Sequence, residues 1–465
     1  MGTPQKKGAF DFRGLSTRFV DFHMVYTRYF DVFSDNVAPQ ARCYLSGLMM
    51  KAPRKNMERM EEYVHECEYQ QVQQFLTDSP WNDRILQCRI GKDANEELGD
   101  KDAVLAIDDS GFTKKGKKSV GVARQWNGRL GKTDNCQVGV FASLIKGRYG
   151  NLIDKRLYLP KEWIEDERRC EEAKIPLEHR VLKTKPRLAL EMIDSAIEND
   201  INFGWVAGDG FYGNTPQFAR DLNARCLKFM LDVHMDQVVY LNDPEPYLPR
   251  RKNGRGRKFK RRVSRVSGVE VKAIIAKIGS NEYSGVKVRE TTKGTLNIIA
   301  WRKRVWLWDG EEKVAQQWWL VITKNCKDNE IKAFISNADE SISLKQLVKH
   351  QAQRFWIERC FQDAKTSLGM ADYQARKWRS WHHHVCLVTL AMLFLLKERL
   401  HQTDELGLLS CQDIVELLNF YLPRKDLTED AVLKNLERRH QKRLESIEYA
   451  YHKQGQTAEC YFNQG

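Results

Sequence analysis

Ala103-Val104-Leu105-Ala106-Ile107-Asp108-Asp109 is the stretch that decides how this chain is read. Five apolar residues without a polar break suit a strand covered on both faces, and two carboxylates close it. Further along, Gln137 to Ile145 (QVGVFASLI) and Asn151 to Leu159 read as second and third strands. Pro186 to Asn199 is an amphipathic helix with proline in its first turn. Phe203 to Ala207 is a strand running into Gly208-Asp209-Gly210. Asn214 to Asn223 reads as a helix and Cys226 to Val233 as another strand. Three strands, a helix and then strand–helix–strand predict a mixed α/β sheet.

The flanks differ in texture. Residues 1–98 read as helical, with Val20 to Phe33, Glu61 to Leu76 and Trp81 to Cys88 punctuated by Pro39, Pro53 and Pro80. Arg42, Lys51, Arg54, Lys55 and Arg59 would suit a DNA-contacting helical domain, and an ordinary bundle fits as well. Residues 250–265 hold ten Lys or Arg among sixteen, a basic loop. Short strands are expected around 269–279, 284–290, 296–301 and 304–308, with Trp318 to Thr323 leaving this β-rich insertion. Helices resume over Asn329 to Asn337, Leu344 to Ser367, Trp381 to Leu400, Ser410 to Tyr421 and Glu429 to Ser446. The expected division is 1–98, 99–233, 234–325, 326–400 and 401–465.

The 465 residues carry 76 Lys and Arg against 62 Asp and Glu, a net charge of +14 that favours a polyanionic partner, nucleic acid first. No uninterrupted apolar run of about 18 residues occurs, so no membrane span is expected. The start MGTPQKKGAFDFRG has no apolar h-region, and Lys6 departs from the myristoylation pattern. Eleven scattered cysteines without a CxxC pair read as free thiols of a reducing cytoplasm rather than a zinc ribbon.

Gln353-Arg354-Phe355-Trp356-Ile357-Glu358-Arg359-Cys360-Phe361-Gln362-Asp363-Ala364-Lys365 reads as a helix that puts Arg354, Glu358 and Lys365 on one side. An acid between two cations suits a divalent metal acting on a phosphodiester; the plain alternative is a solvated face with i, i+4 pairing. Asp108-Asp109 and Asp209 each end a strand, where carboxylates from separate segments converge. Taken singly, each is also ordinary turn chemistry. Together, three carboxylates can hold two Mg²⁺ ions.

The ordered set IDDSGFTKKGKKSVGVARQW, GKTDNCQVGVF, VAGDGFYG and QRFWIERCFQDAKTSLGM resembles insertion-sequence transposases of the DDE type. Arg354, Glu358 and Lys365 match the spacing of that family's Tyr-x2-Arg-x3-Glu-x6-Lys signature, while Gln351 stands at the tyrosine position. The resemblance implies a ribonuclease-H-like core with a β-rich insertion, flanked by a helical N-terminal domain and a helical C-terminal region. It implies Asp109, Asp209 and Glu358 as catalytic metal ligands, with Mg²⁺ or its substitute Mn²⁺ as two ions. Asp108 is the rival for the first place, because strand neighbours point to opposite faces. The family pattern of acid, catalytic Asp, then Ser or Thr favours Asp109 before Ser110.

Arg354 and Lys365 are expected to position phosphates. Trp319 is similar in place to a base-stacking tryptophan; a strand-core residue is the competing reading, and Trp318 competes for the role. Lys114, Lys115 and the following cations read as a basic glycine-rich loop, and Arg257, Lys258 and Arg261 as backbone-binding cations. His382-His383-His384 fan over about 200° of a helix and cannot share one ion. The expected function is a cut-and-paste DNA transposase acting on terminal inverted repeats and target DNA, as a homodimer in the synaptic complex, nucleoid-associated and not membrane-bound. Alternatives are a domesticated regulator that binds without cutting, a structural nucleic-acid binder and an ordinary nuclease.

Overall fold

The computed structural model describes residues 14–32, 35–128, 130–249, 259–291, 294–401 and 409–462. Ten strands form one mixed sheet. From one edge they run Ser284–Thr291, Gly294–Leu307, Gln316–Asn325, Ile331–Ser336, Phe229–Val233, Phe203–Gly208, Asp100–Thr113 and Lys132–Lys146. The far side of Lys132–Lys146 is shared by Ala123–Asn127 on its first half and Tyr149–Leu157 on its second. Asp100–Thr113, Phe203–Gly208 and Phe229–Val233 are parallel, and the other pairings are antiparallel.

The run Ala103 to Ile107 is fully buried, as its lack of polar breaks requires. Helix Lys185–Glu198 covers one face of the central strands, capped by Thr184, which accepts from the Arg187 amide. The opposite face is covered by Phe355–Thr366 and by Trp378–His401. Phe141, on the strand next to Asp108, packs its ring on Phe361 and Trp381.

Helix Trp378–His401 is buried nearly all round, and this ties the N-terminal helices to the sheet. Phe19 meets Phe394, Tyr44 meets His384, and Trp81 stacks on His383 with ring centroids 3.7 Å apart. One hydrophobic cluster therefore runs from Leu15 to Leu422. All three histidines of the 382–384 run pack inside.

Four expectations change. Residues expected as a helix over Asn329–Asn337 form the strand Ile331–Ser336, six residues too short for periodicity to separate helix from strand. That strand pairs with Phe229–Val233, so the insertion's strands continue the central sheet. Segments 296–301 and 304–308 are one strand, Gly294–Leu307, since Arg302-Lys303 carries no turn residue. The 269–279 strand is two residues followed by helix Val271–Ile275. The single helix over Leu344–Ser367 is two, Leu344–Gln353 and Phe355–Thr366, meeting at Arg354.

Candidate active site

Asp108 and Asp109 lie opposite Phe141 and Val140 on the neighbouring strand, so they leave the sheet on opposite faces. Asp108 faces the side of helix Phe355–Thr366. Asp109 faces helix Lys185–Glu198, where its Oδ2 pairs with Lys185 Nζ at 2.8 Å. Asp209 follows strand Phe203–Gly208 and caps the next turn, accepting from the Phe211 amide. Gly213 ends that turn against the strand carrying Asp232. A Cβ there would sit 1.8 Å from the Asp232 carbonyl oxygen, so only glycine permits the approach.

Arg354 joins these acids. The amide of Arg354 bonds the Gln351 carbonyl, and the Ile357 amide bonds the Arg354 carbonyl. These i to i+3 contacts tighten the backbone and set the guanidinium at the corner between two helices. Its Nε lies 3.1 Å from Asp232 Oδ2, Nη2 lies 3.4 Å from Glu358 Oε1, and Nη1 lies 3.8 Å from Asp108 Oδ2. Asp232 is held from its other oxygen by Gln351, whose Nε2 donates to Oδ1 at 2.9 Å. Glu358 is about half exposed, whereas Arg354, Asp108 and Asp232 are largely enclosed.

The acids repel one another in a poorly hydrated place. Burial pushes the Asp108 carboxyl well above the usual carboxylate range, the Asp209 charge adds to this, and Arg354 opposes it. Burial also raises Asp209, with Arg354 opposing and Asp109 adding. Burial works against the Arg354 charge, but Asp232, Asp108, Glu358 and Asp209 together outweigh it. Beneath them Tyr212 is fully buried, and its hydroxyl has no hydrogen-bond partner among the described residues.

Among the described residues, no three His, Cys, Asp or Glu side chains already stand together as a metal cage. The donor chemistry nevertheless fits a hard divalent cation. Asp108 and Asp209 are oxygen donors whose crowding a cation would relieve, and Glu358 is a further oxygen donor that pairs with Arg354 in this structure.

The remaining expected contacts are spread out. Lys365 Nζ donates to the Gly111 carbonyl at 2.9 Å, two residues beyond Asp109. Lys114 is turned inward: it donates to the Tyr373 carbonyl at 2.9 Å, stands 3.9 Å above that ring, and burial lowers its amine to about 8. Lys115 and Arg261 are exposed, while Arg257 and Lys258 lie outside the described residues. Trp319 Nε1 donates to the Asp339 carbonyl, and Arg302 and Arg304 stand 4.3 and 5.3 Å from its ring. Trp318 points the other way, into the core against Phe229. The sequence reading missed Asp232 and Lys185. Asp232 had a usable signal, being an acid at a strand end like Asp209; Lys185 had none.

Asp108 and Asp109 were expected to end their strand but lie within it, since it runs on to Thr113; acids from adjacent strands and a cation-flanked acid on a later helix still define a class. A family model described as DDE superfamily endonuclease matches residues 28–303, and the chain belongs to that superfamily. The match takes in Asp108, Asp109 and Asp209 and ends before Glu358. The chain is also 25% identical, over 77% of its length and 82% of the relative's, to a Microchaete diplosiphon protein described as the probable transposase for insertion sequence element IS701. The resemblance to insertion-sequence transposases is thereby borne out. No helix among the described residues is long and apolar enough to cross a membrane.

Proposed function

We propose that this protein is a DNA transposase that excises a mobile element and joins it to target DNA. The observation that carries the reading is the Arg354 junction, where one guanidinium spans Asp108 and Glu358 beside Asp209. Strand order supports a ribonuclease-H-like core. An antiparallel meander (Asp100–Thr113, Lys132–Lys146, Tyr149–Leu157) is followed by two parallel strands on its other side. The relative's description as a transposase points the same way.

Asp209 and Glu358 would hold the ions together with an aspartate of the first strand. The resemblance assigns that place to Asp109. A second reading has Asp108 take it, favoured by its burial beside Asp209 on the Glu358 side of the sheet. Two Mg²⁺ ions, or Mn²⁺, would supply Lewis acidity for the attacking and leaving oxygens. In the first step a water oxygen bonds to phosphorus, the P–O3′ bond breaks, and a 3′-hydroxyl and a 5′-phosphate result. In the second step that hydroxyl attacks a target phosphorus and a target 3′-oxygen leaves. Arg354 and Lys365 hold phosphate oxygens in line. The partners are terminal inverted repeats and target DNA, bound by a homodimer in the synaptic complex. Trp319 can stack on an extruded base only by exchanging the guanidinium of Arg302 or Arg304 for it.

The test is incubation with a plasmid carrying the gene's flanking repeats, with and without Mg²⁺, mapping every break. Glu358→Gln should abolish cleavage and leave repeat binding intact. Cleavage retained in that variant refutes the assignment, and binding without cleavage in the parent favours the non-cutting regulator.

A further inference from the structure

Asp232 is a fourth acid at the centre, and neither the family spacing nor the metal reading uses it. It is the penultimate residue of strand Phe229–Val233, beside the strand that delivers Asp209. Its Oδ1 accepts from the Gln351 amide at 2.9 Å, and its Oδ2 pairs by charge with Arg354 Nε at 3.1 Å without hydrogen-bond alignment. Gln351 is the residue standing at the signature's tyrosine position, so this departure supplies the amide that orients Asp232.

The distances around the guanidinium are graded. Nε to Asp232 is 3.1 Å, while the terminal nitrogens stand 3.4 and 3.8 Å from Glu358 and Asp108. Charge-assisted N–H···O contacts close to about 2.7–2.9 Å when nothing restrains them. Asp232, itself fixed by Gln351, is the nearest carboxylate to the guanidinium, which stands short of full contact with the other two acids.

We propose that Asp232 is a positioning residue whose charge anchors Arg354 and keeps Glu358 and Asp108 open to cations. Without that anchor the guanidinium settles onto Glu358 and Asp108 and competes with the metal for both. With cations in place, the anchored side chain still directs its two terminal nitrogens toward the phosphate. This inference rests on the metal-dependent reading above.

The test is Mn²⁺ binding by calorimetry on the whole protein without DNA, for the parent, Asp232→Asn, Arg354→Gln and the double variant, with DNA cleavage measured in parallel. Asp232→Asn should weaken Mn²⁺ binding about tenfold, within the range of couplings inside one salt-bridge network. In the Arg354→Gln background the same change should have almost no effect, because nothing remains to be anchored. An equal loss in both backgrounds means that Asp232 acts only as a distant charge and overturns the proposal, as does parent-like binding in Asp232→Asn. Gln351→Leu keeps every charge and should give a smaller loss in the same direction. It serves as the second variant if Asp232→Asn fails to fold, and parent-like binding in Gln351→Leu then overturns the proposal. If the parent itself binds no Mn²⁺ and needs none to cleave, the metal reading fails first, an outcome distinct from all of these.

Discussion

Acidification should loosen the seam between the N-terminal helices and the core, and the size of the effect follows from one helix. His384 is fully buried: Nε2 contacts the Met370 carbonyl at 3.1 Å and Nδ1 contacts Tyr44 Oη at 2.8 Å. The neutral ring satisfies both by donating from Nε2 and accepting at Nδ1. A second proton would face the Tyr44 O–H and bring a charge into an apolar seam. Burial lowers His384 to about 3 and His382 to about 3, and lowers His383 to about 4 against the pull of Asp83. These folded-state values lie below the ordinary value of 6.5. Their contribution to stability is therefore complete above 6.5 and is lost as pH falls toward the folded values. At about pH 5 His384 has lost about 2 kcal/mol, the ordinary value lying about 1.5 units higher at about 1.36 kcal/mol per unit. His382 and His383 share Asp83, and His383 faces the Leu76 and Trp81 carbonyls from its two nitrogens, so the three contributions do not add and His384 alone carries the prediction. Raised carboxyls such as Asp108 act in the opposite sense, so the assay is a difference. Urea unfolding at about pH 7.5 and about pH 5, followed by circular dichroism, is compared between the parent and His384→Gln, whose amide can replace both hydrogen bonds. The variant should lose about 2 kcal/mol less than the parent across that interval. Equal losses in the two proteins would refute the reasoning.

Other consequences concern the site. Asp108→Asn removes a crowded buried charge and should raise the melting temperature, whereas Asp109→Asn breaks the Lys185 pair and should not; whichever variant lacks Mg²⁺-dependent nicking identifies the first ligand. A melting temperature that falls in Asp108→Asn contradicts the crowding. Lys365→Ala loses its bond to the Gly111 carbonyl, costing about 1 kcal/mol of stability, and should lower the salt slope of repeat binding by about 1. An unchanged salt slope removes Lys365 from the phosphate contacts.

The sequence disclosed what local chemistry controls. The buried run Ala103 to Ile107 and Asp209 just past its strand were legible, because each depends on a short pattern; Asp108 and Asp109 were expected to close a strand that runs on to Thr113. Asp232 was less visible, since its importance comes from Gln351 and Arg354, more than a hundred residues away. Lys114 illustrates the reverse error. In a glycine-rich basic stretch it looks like a free phosphate contact, yet Tyr373 holds it from the other side of the fold. The break at Arg354 also escaped, because no proline or glycine marks it and the bend is set by packing of the two helices.

The insertion's place in the sheet bears directly on the chemistry. Strand Phe229–Val233 carries Asp232 and lies between Phe203–Gly208 and Ile331–Ser336. If the insertion were a separate module, cutting it out would leave this strand intact. Here Ala333 to Ile335 pair with Val233 to Leu231 and are themselves covered by Gln316–Asn325, so removal exposes a hydrophobic edge one strand away from the acid beside Arg354. Replacing residues 234–330 by a short flexible linker keeps Ile331–Ser336 but removes Gln316–Asn325, its partner on the outer side. Such a protein should retain the central strands, aggregate through the new edge, and bind Mn²⁺ no better than Asp232→Asn. A monomeric deletion protein with parent-like Mn²⁺ binding would show that the outer strands do not support the site, and the link from sheet continuity to Arg354 would fail.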